Sequence, residues 1–324
     1  MQRRTLLQGA AAAIALPSAW AQPAWPSGPV RIVVGFPPGG GTDALARVVG
    51  AKLTAIWGQQ VIVETKAGAA GLIAAEYTAQ QPGDGSTLLM AHINSHALGP
   101  ALQGSKLRYN AQTDFTPLCL VGVTPNLLIA HPAAPNRNVA EVVARCKAEP
   151  GKIAFGSAGM GSAQHLALEL FKVQAKVDAI HVPYKGSGPL LTDLMGGQIQ
   201  YSFETMTAAT PHVKSGKVVA IAQTRAKRAK GHPNVPTMQE QGYDGFEATT
   251  WYGLVAPKGL SPAIADRINR DVNTVLAMPD VQEKMDTYGA EDGGGSREKF
   301  AQFIASEQAK WARVVKEGNV KVDS

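Results

Sequence analysis

Val30-Arg31-Ile32-Val33-Val34-Gly35-Phe36-Pro37-Pro38-Gly39-Gly40-Gly41-Thr42-Asp43 is the stretch whose reading decides the fold. Four of its first five residues, all but Arg31, are apolar and β-branched, the composition of a buried strand. Prolines and glycines then break the run, and Thr42 or Asp43 can cap a helix that the pattern carries from about Asp43 to Leu53. The same order, strand then Gly-rich loop then helix, returns at Lys152 to Gly156, Gly156-Ser157-Ala158-Gly159-Met160-Gly161, and Ser162 to Phe171.

Working outward, strands are expected at Gln60–Glu64, Ser86–Ala91, Ala179–Val182 and Gln198–Phe203. Helices are expected at Leu72–Gln80 and Pro189–Met195. Strands alternating with helices argue for an α/β protein with parallel sheets covered on both faces. Thr124–His131 and Thr250–Ala256 look like crossings between two lobes. This predicts one lobe from residues 22–124 plus 253–324 and a second from 125–252. Three C-terminal helices, Ser261–Leu276, Asp280–Tyr288 and Arg297–Lys316, complete the first.

The chain has 324 residues, 45% of them hydrophobic and 17% charged, which excludes wholesale disorder and leaves room for two cores. Two cysteines, Cys119 and Cys146, exclude a disulfide-built scaffold and a multi-cysteine zinc fold. A disulfide between them is chemically allowed outside the cytoplasm, and two buried free thiols are the preferred reading. The net charge is +6, and the one dense basic run, Arg225 to Lys230, has no interleaved aromatics. It reads as a solvated loop, not a nucleic-acid surface.

Residues 1–21 read as a signal peptide. Arg3 and Arg4 precede an apolar run from Gly9 to Leu16, and Ala19-Trp20-Ala21 is a small-x-small cleavage site. The adjacent arginines resemble a twin-arginine export signal, and short general-secretory signals begin similarly. A fraying N-terminal helix is the plain alternative. No later run reaches the ~18 apolar residues of a membrane span. The expectation is a periplasmic protein of a two-membrane bacterium.

The two Gly-rich loops carry the candidate chemistry. Glycines let backbone approach a ligand, and free N–H groups at a helix start favour an anion. One such loop in each lobe can grip a small anion from both sides of a cleft; two tight turns with no ligand are the alternative. Nucleotide motifs fail: Gly156 to Gly161 has P-loop spacing, but Ser162 stands where lysine is required. A serine hydrolase using Ser162 or Ser157 is the rival reading. No G-x-S-x-G elbow occurs, and Ser162 with His165 lacks a third partner. His92 and His96 lack the H-E-x-x-H glutamate and read as loop residues, so neither a metal nor another cofactor is expected.

Ligands of α/β sheets bind beyond the strands' carboxyl ends. Three further loops should gather there, bringing Ala70 and Gly71, Asn94 and Ser95, and Tyr184 and Gly186. Gly161 belongs with its loop. Glu204, after the strand ending at Phe203, is either the cleft's one acid or a solvated carboxylate.

At these loops the sequence resembles the Bug family, the extracytoplasmic solute receptors of the tripartite tricarboxylate transporter class. The resemblance runs nearly end to end. It rests on Pro38-Gly39-Gly40-Gly41-Thr42-Asp43, Pro82-Gly83-Asp84-Gly85-Ser86-Thr87-Leu88, Phe155-Gly156-Ser157 to His165-Leu166, His181-Val182-Pro183-Tyr184-Lys185-Gly186 and Trp251-Tyr252-Gly253-Leu254-Val255-Ala256-Pro257. It implies a type II periplasmic-binding-protein fold, two lobes with a ligand cleft between them. It also implies a small organic carboxylate ligand, and a membrane permease or a sensor protein as partner to a monomeric receptor without enzymatic activity. Carried over residue by residue, it points to Phe36, Gly40, Thr42 and Asp43 in the first lobe, and Ser157, Ala158, Ser162 and His165 in the second. Two positions depart from the family pattern. Ala67 and Ala70 make the Lys66–Gly71 loop bulkier than the usual Gly-rich run, and Glu204 stands where Asp is usual.

Overall fold

The computed structural model describes residues 25–317, so the expected signal peptide, residues 1–21, lies outside the described residues. Nine strands form one sheet: β1 (Val30–Val34), β2 (Val61–Thr65), β3 (Thr87–His92), β4 (Phe115–Ala130), β5 (Ala154–Ser157), β6 (Ile180–Pro183), β7 (Tyr201–Thr205), β8 (Val219–Gln223) and β9 (Thr249–Pro257). The helices are α1 (Gly41–Trp57), α2 (Leu72–Ala79), α3 (Gly99–Gln103), α4 (Val139–Ala148), α5 (Ala163–Ala175), α6 (Ser187–Met195), α7 (Met206–Lys214), α8 (Pro262–Leu276), α9 (Pro279–Tyr288) and α10 (Arg297–Glu317).

The strand order is β2-β1-β3-β9-β4-β7-β5-β6, with β8 also on β4. β1 pairs in parallel with β2 and β3, as β5 does with β6 and β7. The expectation of purely parallel sheets is corrected by the crossing strands. β9 runs antiparallel to β3 and β4, and β4 antiparallel to β7 and β8. The cause is the length of β4. Its 16 residues give one half to β9, through Pro125, and the other half, from Asn126, to β7 and β8. Proline has no N–H to donate to a ladder, so Pro125 suits the point where the strand changes partners.

Period-two alternation assigns each half two cores. Val30, Ile32 and Val34 face a core built with Leu45, Val49 and Ile268, while Val33 faces the opposite one with Leu89 and Trp251. In the other half, Leu128 and Ala130 pack with Phe155 and Phe203, and Leu127 and Ile129 pack with Leu190 and Leu194. Each half is thus a sheet with helices on both faces.

One local reading is refined and one corrected. The Arg225–Lys230 segment is exposed along Ala226, Lys227 and Arg228, as a solvated loop would be, and is pinned at its two ends. Arg225 pairs with Glu291 at 2.9 Å and also with Asp292, Lys230 Nζ lies 3.3 Å from Asp286, and Ala229 is buried. A carboxylate cluster opposite satisfies the basic run, which the run's own sequence could not reveal. His92 and His96 are buried, at the end of β3 and in the π-helical turn Asn94–Leu98. His96 packs against Phe115 and Trp251 and belongs to the core, whereas His92 stands between Phe36 and Tyr252 with polar partners in Asn94 N–H and Thr250. Cys119 and Cys146 are buried free thiols. Burial pushes them up to about 12 and about 11, which suppresses thiolate chemistry.

Candidate functional site

β1 delivers the chain into Gly35–Gly40, and α1 starts at Gly41. Its N-cap, Gly40, offers no side-chain acceptor, so the first N–H groups of the helix have no side-chain cap. A Cβ on Gly41 would lie 2.4 Å from the Tyr252 hydroxyl, so only glycine lets the helix start approach this closely. Thr42 is buried. Asp43 turns inward along its own helix: both carboxylate oxygens accept from Arg47 Nε, at 2.9 and 3.0 Å, and one accepts from Gly39 N–H at 3.4 Å. Its role in this geometry is to close the loop.

The second loop is braced from behind by its polar side chains. Ser162 caps α5 by accepting from His165 N–H at 3.2 Å. Gly161 N–H donates to His165 Nδ1 at 3.1 Å, and Gly159 N–H to Ser157 Oγ at 3.2 Å. Ser157 Oγ also sits 2.6 Å from His181 Nε2, and the His165 and His181 rings stack at 3.9 Å. Burial, then the neighbouring His165 and Lys172, push His181 down to about 4, so the stack is neutral at pH 7. The Ser157–His181 contact has the two residue types of a hydrolase dyad but no carboxylate to complete a triad. The ring stacked on His181 is another imidazole, and the nearby carboxylate, Glu169, faces His165 at 3.7 Å. Ser157 Oγ–H in turn donates to Gly159 O at 3.1 Å.

Glu204 lies within β7 and is fully buried, so the solvated reading is corrected. Its Oε1 accepts from Gln164 Nε2 at 3.0 Å, Ser187 Oγ at 2.9 Å, Thr205 N–H at 2.6 Å and Thr205 Oγ1 at 3.1 Å. Oε2 has no protein partner. Burial raises its pKa, and the four donors oppose that rise. The two halves also touch. Asn94 Oδ1 accepts from Ala163 N–H at the start of α5, 3.2 Å away, and a Cβ on Gly186 would meet Pro37 at 2.7 Å.

A cavity of about 660 Å³ opens among these loops. Phe36, Ala70, Asn94, Ala158, Gly161 and Tyr184 line it. A small inner space beneath is lined by Phe36, Gly40, Thr42, His92, Gln164 and Ser187. Of the residues expected to converge, those eight do so. Ser157, Ser162 and His165 stand behind the second loop, and Gly71 is buried against the Phe36 ring. Ser95 is turned to His92 O at 3.0 Å, and Gly186 forms the contact with Pro37. Glu204 reaches the inner space through its donors Gln164, Ser187 and Thr205. Sequence reasoning missed Gln164, Ser187 and the bracing role of His181. A helix-start position was the only signal for Ser187, and the motif containing His181 carried no hint of its stacking partner. Among the described residues no group of three or more potential ligands could hold a metal, and no helix is long and apolar enough to cross a membrane.

Two α/β halves joined by two long strands, with loops that follow strand ends in both halves lining one cavity, define a two-lobed solute-binding protein. The comparisons agree. The model of the tripartite tricarboxylate transporter family receptor matches residues 45–320, and the chain belongs to that family. BugT of Bordetella pertussis is 38% identical over 299 residues, 92% of this chain and 91% of that protein. A solved R. palustris protein with adipate superposes with a TM-score of 0.88 at 34% identity, covering 92% of this chain and 99% of that one. MatC from Rhodopseudomonas palustris with bound malate gives 0.83 at 32% identity, over 90% and 100%. The chain is a solute-binding receptor of this type, not an enzyme.

Proposed function

We propose that the protein captures a small carboxylate in the periplasm and delivers it to the permease subunits of a tripartite tricarboxylate transporter, or to a sensor. The lobes are residues 22–124 with 253–324, and residues 125–252. The observation that carries this reading is that Gly35–Pro37 of the first loop and Ala158–Gly161 of the second line one cavity, with the uncapped start of α1 on the small inner space and no Lys or Arg in either Gly-rich loop. Neutral donors at a helix start select an ionised carboxylate. The structures with adipate and malate support the ligand class. The N-terminal segment, with its paired arginines, apolar run and cleavage site, supports export. A thermal-shift screen of mono-, di- and tricarboxylates tests it. A ligand at 100 times its Kd adds about 2.7 kcal/mol of stability, several degrees for a protein of this size. A flat response to all three classes would remove the reading.

Calorimetric titration with the best ligand then separates backbone donors from a salt bridge. Ser162→Ala should cost about 1 kcal/mol of binding, since the loop's N–H groups remain. Gly161→Val should cost more, because Gly161 has φ +70°, where a β-branched residue is strained. Lys185→Ala is the contrast, Lys185 being a cation at the cavity wall. Binding abolished by Lys185→Ala and untouched by Gly161→Val would mean that a salt bridge holds the ligand.

A further inference from the structure

The outer cavity is unlike the inner space in chemistry. Its wall is mostly carbon: Ala69, Ala70 and Leu72 on one side, Leu102 from α3, and Met160 and Tyr184 from the other half, with Asn94, Gln103 and Lys185 as its polar side chains. Tyr184 contributes its ring, because its hydroxyl donates to Asp193 Oδ2 at 2.9 Å. Met160 is 40% exposed at the rim, apolar surface that a bound molecule would cover. The volume of about 660 Å³ is in the range that holds ligands well beyond four carbons.

The backbone behind this wall is strained. Ala69 and Ala70 have φ +46° and +53°, in the left-handed region where a Cβ is costly. They lie between Gly68 and Gly71, so glycine at either position would continue the turn at lower cost. What alanine adds is a methyl group, and both residues line the cavity. Strain retained at a binding wall points to a use for those methyls.

We infer that the ligand is a carboxylate with an apolar body, such as a straight-chain diacid or a ring-bearing acid, whose carbon skeleton packs on Ala69, Ala70, Leu72, Leu102 and Met160. The inference rests on the carboxylate reading above and adds the body's chemistry to it. A hydroxyl of a hydroxy acid such as malate, where it meets the alanine and leucine side of the wall, would lose hydration without a replacement.

The test is calorimetric titration of succinate, adipate, suberate, malate and the neutral diamide suberamide into the wild type and Ala70→Gly. The diacids should tighten about fourfold per added methylene, the equivalent of one buried CH₂, with malate weaker than suberate. Ala70→Gly should weaken suberate about fourfold, one methyl contact, and leave succinate within about twofold. The same variant should melt higher, because the left-handed strain is relieved. Opposite signs for stability and suberate affinity are what a purely structural alanine would not give. Malate binding as tightly as suberate, or an unchanged suberate-to-succinate ratio in Ala70→Gly, overturns the inference. Suberamide binding without any acid would keep the apolar wall and remove the carboxylate reading; no binding by any of the five overturns both.

Discussion

Glu204→Leu is expected to destabilise the protein by about 4 kcal/mol, while Glu204→Gln stays within about 1 kcal/mol of wild type. Four donors converge on Oε1: the Gln164 amide, the Ser187 hydroxyl, and the Thr205 N–H and hydroxyl. Leucine orphans all of them in a fully buried place, and each buried donor without an acceptor costs about 1–3 kcal/mol. Glutamine keeps the accepting oxygen and changes only the position of Oε2, which has no protein partner. The two variants also differ from wild type in pH dependence. Burial lifts the Glu204 pKa above its ordinary 4.5, so between 4.5 and the higher folded value the native state holds a proton that the unfolded chain has lost. Wild-type stability therefore falls through that window as pH rises, by up to about 1.4 kcal/mol per unit. Urea unfolding from pH 4.5 to 8, read as the difference between wild type and Glu204→Gln, isolates this contribution. A leucine variant as stable as wild type would show that Oε1 is not the hub of these contacts.

How far the sequence reaches is clearest at the strands. Val30–Val34 is readable because four β-branched apolar residues, interrupted by Arg31 alone, end at Gly35 and two prolines, and the structure begins and ends β1 there. β4 is not readable to its full length. Its first half contains Pro117, and two register shifts lie between Pro117 and Gly122, so the local pattern breaks where the strand does not. What holds it extended is β9, more than a hundred residues later. Long antiparallel partners override local propensity, and a reading made segment by segment cannot see them.

In the site, what was legible is what the backbone does. Gly40, Ala158 and Gly161 lie in loops between a strand's end and a helix's start, Thr42 lies in the first turn of such a helix, and these segments face a sheet's edge in any α/β protein. What was illegible is where polar side chains turn. Asp43 has the look of a cleft carboxylate until Arg47, one turn on, occupies both its oxygens. Glu204 is flanked by Phe203 and Thr205, and nothing local announces that Gln164 and Ser187 will meet on it. Ser157, Ser162 and His165 brace one another because tertiary packing stacks His181 on His165. Backbone roles follow from local grammar, whereas side-chain roles depend on residues far away in sequence.

Acidification should weaken the protein by about 5 kcal/mol between pH 6.5 and 4.5, through His92 and His96. Both are fully buried, and burial pushes each down to about 3. His92 accepts from Asn94 N–H at Nδ1, 3.2 Å away, and its Nε2 lies 2.7 Å from Thr250 Oγ1. His96 meets Ser95 Oγ at 2.9 Å through Nδ1, packs against the Phe115 ring at 4.7 Å, and has no partner at Nε2. Neither place accommodates a charge. Below the unfolded value of 6.5 the unfolded chain takes up these protons and the native state does not, down to about pH 3. Each histidine then removes about 1.4 kcal/mol per pH unit, and two over two units give the figure above, comparable to the whole stability of a typical domain. The raised pKa of Glu204 acts in the opposite direction, so the Glu204→Gln background gives the cleaner measurement. His96→Phe supplies the decisive comparison. A phenyl ring suits a position bounded by Phe115 and Trp251, and Ser95 Oγ keeps its bond to His92 O at 3.0 Å. Urea melts at pH 6.5, 5.5 and 4.5 should show the slope reduced by about 1.4 kcal/mol per unit in this variant. An unchanged slope would mean that His96 already carries a proton in the native state, which its apolar surroundings oppose.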